Sequence, residues 1–175
     1  MYFGNFPLVL YDSVGDGNFK VVTNLLKRVA VRSKVKINTA LFDTYDVKDG
    51  ETPEMIADML YDDSELHWII LLLNDITDRY HQWPKNTNQF LAYVNDKYSN
   101  IDATHHYEIS QVSGDTTIKI DIGTDNTEHS SASVVTNYEY EENLQDKKRK
   151  IRLLDPRYVE DFVAEFKKLM KESIL

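Results

Sequence analysis

The chain of 175 residues contains no cysteine, which excludes disulfide bonds, iron–sulfur clusters and zinc sites built from thiolates. Glycine is scarce as well, with 6 residues, and no glycine-rich loop of the kind that cradles a phosphate or a dinucleotide is present. The longest strongly apolar run, residues 68–73, is far shorter than the about 20 residues that cross a bilayer. Because no secretion signal is visible either, we expect a soluble protein made in a cytoplasm, without a membrane partner.

Basic residues are outnumbered by acidic ones, with 20 Lys and Arg against 29 Asp and Glu and a formal net charge of -9. Binding to nucleic-acid backbones needs clustered Lys and Arg. The one dense basic run, residues 147–150, has no stacking aromatic residues beside it. We interpret it as a helix end or a contact with a protein partner, and we predict no nucleic-acid partner.

The histidines and carboxylates show no pattern that is typical of a catalytic or metal site. His105 and His106 are adjacent, and on a strand neighbouring side chains point to opposite faces. The pairs Asp62/Asp63 and Asp75/Asp78 could form a glycosidase pair, but helix capping explains them adequately. A serine nucleophile elbow is absent. We therefore predict no catalytic residue, no metal, no cofactor and no enzymatic activity.

The central stretch, residues 46–83, has the clearest secondary-structure signals. Thr52 is a good N-cap and Pro53 suits the first helical position, so a short amphipathic helix should begin here. Asp62, Asp63 or Ser64 caps a second helix, which contains the apolar run and ends at Asn74–Asp75. A helix that is apolar on all sides must be covered on all sides.

The flanking segments alternate between helical and period-two patterns, which predicts an α+β fold. The predicted fold has a central helix pair with short strands, a β-hairpin, an extended N-terminal arm and a C-terminal amphipathic helix. The arm, residues 1–11, contains rigid aromatic anchors and a proline, and we expect it to bind another chain rather than its own core. The expected elements are a helix in 16–36, a strand in 41–47, a helix in 86–98, a hairpin in 107–122, a polar loop in 123–137, a helix in 138–150 and the closing helix after 155–156. The predicted segments are 1–40, 41–98, 99–137 and 138–175.

The sequence of residues 49–83, DGETPEMIADMLYDDSELHWIILLLNDITDRYHQW, resembles the signature of tail baseplate wedge proteins of contractile-tailed bacteriophages. Within it, residues 50–74 resemble a diverged LysM module, with Gly-Glu-Thr, then Ile-Ala, then an apolar helix ending in Leu-x-Asn. The combination with Trp68, Asp78, Tyr80 and Trp83 makes the resemblance to the wedge family more specific.

The resemblance implies a structural subunit of the virion that joins neighbouring wedges around the hub during tail assembly in the host cytoplasm. It implies contacts with other wedge proteins and with hub or sheath-initiating proteins, and copies arranged in a ring within the baseplate. Two alternatives remain open: a LysM-type module that binds peptidoglycan, and a hydrolase that acts on the cell wall.

Large aromatic residues in the terminal segments and around the central stretch are the candidates for contacts with partners. We predict that Trp68 belongs to the core, whereas Trp83 lies at or near a partner surface because it follows a polar stretch. The predicted interface residues are Phe3, Phe6, Tyr11, Tyr80, Trp83, Phe162 and Phe166.

Overall fold

Both strands and helices occur throughout the computed structural model, which describes residues 2–36, 38–115 and 117–172. Met1 of the predicted arm and residues 173–175 of the predicted C-terminal segment lie outside the described residues. The strands are β1 (Leu8–Tyr11), β2 (Lys20–Thr23), β3 (Phe42–Asp46), β4 (Thr104–Ser110), β5 (Lys119–Asp121), β6 (Ser133–Thr136) and β7 (Lys150–Leu154). The α-helices are α1 (Ser33–Lys36), α2 (Pro53–Tyr61), α3 (His67–Leu73), α4 (Arg79–Gln82), α5 (Thr87–Lys97), α6 (Asn137–Arg149) and α7 (Val159–Glu172). Short 3₁₀ helices cover Tyr2–Asn5, Thr39–Leu41, Ser64–Leu66 and Pro156–Tyr158. The predicted α+β class is confirmed.

The chain forms two compact units, each assembled from stretches that are separated in sequence. Unit 1 contains residues 1–46, 51–82 and 151–175, and unit 2 contains residues 47–50 and 83–150. The four segments predicted from the sequence are continuous, whereas these units are not. Within the described ranges, no helix is long and apolar enough to cross a membrane.

Helix α2 begins at its predicted capping residue, and α3 ends at the predicted Asn74. The Thr52 side chain accepts a hydrogen bond from the Met55 N–H (3.3 Å), and Pro53 occupies the first turn. Asp62 ends α2 in a left-handed conformation, with φ 54°. The Asp63 carboxylate then accepts from the Glu65 N–H (2.8 Å) and starts the 3₁₀ turn that leads into α3. The predicted start of α2 and the predicted end of α3 are therefore confirmed, whereas α3 itself begins at His67 without a side-chain cap.

The core of unit 1 is built around α3. Its buried cluster contains Trp68, Ile69 and Leu73 from α3, Leu154 from β7, and Val159, Phe166 and Met170 from α7. The rings of Trp68 and Phe166 lie 4.4 Å apart, centroid to centroid. Burying a large apolar side chain contributes about 1.5–3 kcal/mol. The helix that closes the chain is thus fixed by the same apolar run that dominates the sequence.

Backbone and side-chain hydrogen bonds bring β7 beside β3 and the end of α3. The Asp155 N–H donates to the Leu41 carbonyl (3.0 Å), and the Val47 N–H donates to the Arg149 carbonyl (2.9 Å), which makes β3 and β7 antiparallel. At the end of α3, the Asn74 amide donates to the carbonyls of Ile70 (2.9 Å) and Arg152 (2.8 Å). Asn74 also accepts from the Arg152 N–H (2.9 Å), so one side chain ties α3 to β7.

Unit 2 contains a three-stranded antiparallel sheet with strand order β5-β4-β6. The hairpin predicted for residues 107–122 is present as β4 and β5. Helix α6 starts at a capping box, in which Thr136 and Glu139 each bond the other's backbone N–H. Phe90 of α5 contacts Tyr138 of α6 edge to face, with ring centroids 5.4 Å apart.

Two predicted elements were wrong. Residues 16–36 form β2 and only the short helix α1, because the β-branched run Val21–Thr23 favours a strand and hydrogen-bonds to β1. Residues 123–137 are not all loop, since β6 pairs with β4 through the register Val135↔His106 and Val134↔Tyr107. In both cases a short valine-containing stretch is defined by its partner strand, which for β2 is the adjacent β1 and for β6 is the more distant β4.

A buried carboxylate links α5 to α6 in unit 2. The Glu141 side chain is 3% exposed; it accepts hydrogen bonds from Lys97 Nζ (2.6 Å) and the Tyr98 hydroxyl (2.9 Å). Burial alone would raise the pKa of Glu141, but the hydrogen bonds from Lys97 and Tyr98 hold it below its ordinary value. The same contact raises the pKa of Lys97.

The replacement Trp68→Ala should destabilise unit 1 by about 3–5 kcal/mol, the usual cost of truncating a buried aromatic side chain. Chemical denaturation measures this loss, with unfolding followed by far-ultraviolet circular dichroism so that the signal does not depend on tryptophan fluorescence. The control Tyr80→Ala removes an aromatic side chain that is 84% exposed, and it should change stability by less than about 0.5 kcal/mol. Equal losses for the two variants would contradict the assignment of Trp68 to the core.

The replacement Glu141→Gln should reduce stability at neutral pH by about 1 kcal/mol, a small value because the Lys97 side chain is 43% exposed. A carboxylate with a lowered pKa stabilises the folded state above its unfolded pKa, and this contribution disappears as pH falls through the folded value. Wild type should therefore lose more stability than Glu141→Gln between pH 6 and about pH 3. Parallel slopes of unfolding free energy against pH would contradict this role.

Candidate partner-binding surface

The first turn of the chain packs against the core of unit 1. The Tyr2 ring lies 5.4 Å from the Trp68 ring and 5.8 Å from the Phe166 ring, centroid to centroid. Phe6 packs beside Tyr2 at 5.0 Å and is half-buried on the core cluster. Phe3, in contrast, is 59% exposed. The expectation that the whole arm avoids its own core was wrong, because the aromatic residues at its start complete that core.

The two strands that follow form a ribbon that is exposed on both faces. Strands β1 and β2 pair antiparallel from Leu8↔Thr23 to Tyr11↔Lys20, and all eight residues are exposed. The Asn24 N–H extends the pairing by donating to the Pro7 carbonyl (2.8 Å). An isolated two-stranded hairpin is marginally stable in water. We call residues 8–26 the hairpin surface.

Apolar exposure is concentrated on this hairpin surface. Of the 22 exposed large hydrophobic residues in the described part of the chain, 10 fall within these 19 positions. They are Leu8, Val9, Leu10, Tyr11, Val14, Phe19, Val21, Val22, Leu25 and Leu26. A contiguous exposed apolar patch on a folded chain is typical of a protein interaction site.

The loop that connects β1 to β2 is organised by one carboxylate. Asp12 accepts backbone hydrogen bonds from Val14 (3.1 Å), Gly15 (2.7 Å) and Gly17 (2.8 Å). These hydrogen bonds lower the pKa of Asp12, and the bond from the Gly17 N–H has the largest effect. Gly15 and Gly17 have φ angles of 78° and 81°, a left-handed backbone conformation that residues with a side chain rarely adopt. The hairpin therefore has a defined turn even though its strands bury nothing.

The chain after the hairpin is basic and is attached to unit 1. Lys27 is buried and its Nζ donates to the Met170 carbonyl near the end of α7, where a cation complements the helix dipole. Lys36 pairs with Asp75. Beneath this segment is a groove of about 740 Å³, lined by both aromatic and basic side chains. Its lining includes Tyr2, Phe3, Phe6, Leu25, Lys27, Arg28 and Trp68.

The predicted interface residues do not form one patch. Phe3, Tyr11 and Tyr80 are exposed, and Phe6 and Phe162 are half-buried. Phe166 is 3% exposed and belongs to the core cluster. Trp83 is 6% exposed, so its predicted surface position was wrong.

Sequence reasoning missed most of the hairpin surface. The sequence patterns predict an extended arm for Val9 and Leu10 and a helix for Val22, whereas the structure places all three in the paired strands β1 and β2. The available signal was the glycine-containing turn at 15–18 between two stretches rich in β-branched and large apolar residues, which is a hairpin pattern.

The carboxylates considered for catalysis serve as caps and ion pairs. Asp78 accepts from the Tyr80 N–H (2.9 Å) and from His81 Nδ1 (2.6 Å). The His81 contact contributes most to lowering the pKa of Asp78, the opposite of what a general acid requires. Asp75 pairs with Lys36.

The adjacent histidines are closer than their sequence pattern predicts. His105 Nδ1 lies 2.9 Å from His106 Nδ1, and His106 Nε2 lies 3.2 Å from Glu108 Oε1. The expectation that the two rings face opposite sides was wrong, because β4 has a register shift between Thr104 and His106. The residues described here contain no group of three or more His, Asp or Glu side chains arranged to hold a metal ion.

Comparison with known proteins gives two matches. The family model of base plate wedge protein 53 matches residues 1–126. Baseplate wedge protein gp53 of Enterobacteria phage T4 is 37% identical over 60 residues, which are 33% of this chain and 30% of the T4 protein. The matched stretch therefore spans less than a third of that relative. Because the family model covers well over half of the chain, the predicted resemblance is confirmed: the chain belongs to the base plate wedge protein 53 family, structural proteins of the phage tail baseplate.

Proposed function

We propose that this subunit joins neighbouring wedges around the tail hub, and that the hairpin surface makes the joining contact. The single observation that supports this is the concentration of exposed apolar side chains in residues 8–26. Burying them in a partner would remove from water a surface that the free chain leaves exposed. The partners we propose are other wedge proteins and hub or sheath-initiating proteins, with copies in a ring and assembly in the host cytoplasm.

The contacts at the base of the hairpin support a joining role. Tyr2 and Phe6 fix the start of β1 on the core of unit 1, and Lys27 attaches the chain after β2 to the end of α7. The ribbon is therefore held at both ends while its two faces stay free. A preorganised binding element loses less conformational entropy on binding than a disordered tail.

The remaining interface candidates extend the proposed contact area. Tyr80 is exposed on α4, and its N–H is held by the Asp78 cap. Phe162 is half-buried beside Trp68, with ring centroids 6.1 Å apart. We assign Tyr80 and the exposed edge of Phe162 to secondary contacts. Contacts at these residues as well as at the hairpin would let the subunit touch more than one neighbour.

The subunit is proposed to act without catalysis and without binding nucleic acid or membrane. The helix pair α2 and α3, with β3 before it and β7 beside β3, supports the proposal of a LysM-like module at the centre of unit 1. In this proposal the module serves as the scaffold that positions the hairpin. Its function in the baseplate is contact between proteins.

The replacement Leu10→Asp tests the proposed contact. Leu10 lies opposite Val21, and both side chains are 64% exposed, so the charge should change stability by less than about 0.5 kcal/mol. Placed in a buried interface, the same carboxylate should abolish joining of purified wedges into rings, measured by electron microscopy. Thermal melts of the free protein verify that it folds.

Two further variants complete this test. Met59→Asp introduces the same charge at a position that is 59% exposed on α2, and it should leave ring formation intact. Tyr2→Ala should lower the melting temperature because it removes a ring from the core cluster. Ring formation by Leu10→Asp at the wild-type level would contradict the proposal. Retention of purified cell wall by the wild type, without any wedge joining, would favour the peptidoglycan-binding alternative.

A further inference from the structure

We infer that the hairpin surface of one copy binds the outer edge of β5 in a second copy of this chain, forming a sheet that continues from one molecule into the next. This inference rests on the proposed function and names the partner that covers the hairpin. It follows from three features: the distribution of charge along the chain, the free edges of two small sheets, and the residues that an antiparallel register would place opposite each other on those edges.

The chain from the end of the turn onward is basic, whereas the hairpin surface itself carries only Asp12, Asp16 and Lys20 as charged residues. Residues 17–42 contain six Lys and Arg and no Asp or Glu. Two of the six are used within unit 1, since Lys27 bonds the Met170 carbonyl and Lys36 pairs with Asp75. Lys20, Arg28 and Arg32 are exposed and form no ion pair with any residue that the structure describes. Lys20 on the β2 edge and the basic residues that follow the hairpin therefore favour an acidic partner.

The acidic partner surface is present in the chain itself. Residues 98–146 contain ten Asp and Glu and a single basic residue, Lys119, so their formal charge equals that of the whole protein. Exposed Asp121, Asp115 and Asp125 lie on or near β5. Hydrogen bonds from Thr117 lower the pKa of Asp115, and those from Thr127 lower the pKa of Asp125. Asp115 and Asp125 are therefore ionised at neutral pH.

Each of the two sheets has a free edge. In the described residues, β2 pairs only with β1, and β5 pairs only with β4. A free edge presents unpaired backbone N–H and C=O groups that readily add another strand. Both edges carry exposed apolar residues, Val21 at 64% and Ile120 at 43%. Within the described ranges, no further strand pairs with either edge.

An antiparallel register between the two edges matches charges and apolar side chains. With Lys20 opposite Asp121, Val21 falls opposite Ile120 and Val22 falls opposite Lys119. Directly opposed residues share a face of the sheet, so this register pairs a cation with an anion and one exposed apolar residue with another. Lys119, the residue opposite Val22, already has a hydrogen-bond partner within its own chain, because its Nζ donates to the Ser110 hydroxyl (2.8 Å). The result is a five-strand order β1-β2-β5-β4-β6 shared by two copies.

This contact uses different surfaces on the two copies, so it is heterologous. Each copy donates one hairpin and offers one β5 edge, and a heterologous contact closes into a ring or continues as an open chain. The arrangement supplies a physical link between the copies that the proposed function places in a ring around the hub.

The test is sedimentation velocity of the full chain alone, at concentrations up to about 100 µM and at low and high salt. We expect association that increases with concentration and weakens with salt. Lys20→Glu and Asp121→Lys should each weaken association by about fivefold, the upper range for a single exposed ion pair. A chain that carries both replacements has the pair in reversed order, and its association should return to within about twofold of wild type.

Lys167→Glu provides the matched control, because it makes the same charge change at an exposed position of α7, away from the Met170 carbonyl that Lys27 binds. It should not weaken association. A wild-type chain that stays monomeric at every concentration would overturn the inference. So would a double variant in which the two losses of association affinity add.

The experiment also separates this inference from the proposed function. If the monomeric chain still joins wedges and Leu10→Asp abolishes that joining, the second copy is the wrong partner and the proposed function stands. If association is present but wedge joining is unaffected by Leu10→Asp, the proposed function fails instead.

Discussion

The structure of unit 1 depends on the need to cover α3, a helix that is apolar on all sides. Trp68, Ile69, Ile70 and Leu73 are all buried in a helix of seven residues. No single neighbouring element can surround a helix, so distant parts of the chain must converge on it. β7 and α7 arrive from the end of the sequence, and the Tyr2 ring arrives from its start. This requirement explains why unit 1 is discontinuous in sequence.

The same requirement explains why the N-terminal region is divided into a docked part and an exposed part. The Tyr2 ring of the first turn packs beside Trp68 and Phe166, whereas both strands of the ribbon that follows are exposed. The glycine-containing turn and the Lys27 contact then hold the ribbon in a defined place. A small structural subunit can thus combine a well-packed core with an exposed apolar surface that a partner protein can bury.

The elements that were predicted from the sequence are those with local causes. The cap at Thr52, the turn at Asp63 and the amphipathic pattern of α7 act within a few residues, and each was found where the sequence places it. β2 and β6 were missed because a four-residue strand is defined by its partner strand rather than by its own pattern. The burial of Trp83 was missed for the same reason, since flanking polarity does not report tertiary packing.

The most direct test of this account is hydrogen exchange of backbone amides in the free protein and in assembled baseplate wedges. The account predicts that residues 67–73 are protected in both samples because they form the core. Residues 8–11 and 20–23 should exchange rapidly in the free protein, since a two-stranded ribbon is marginally stable, and should become protected on assembly. Unchanged exchange of both strands between the two samples would contradict the claim that the hairpin is the surface that assembly covers.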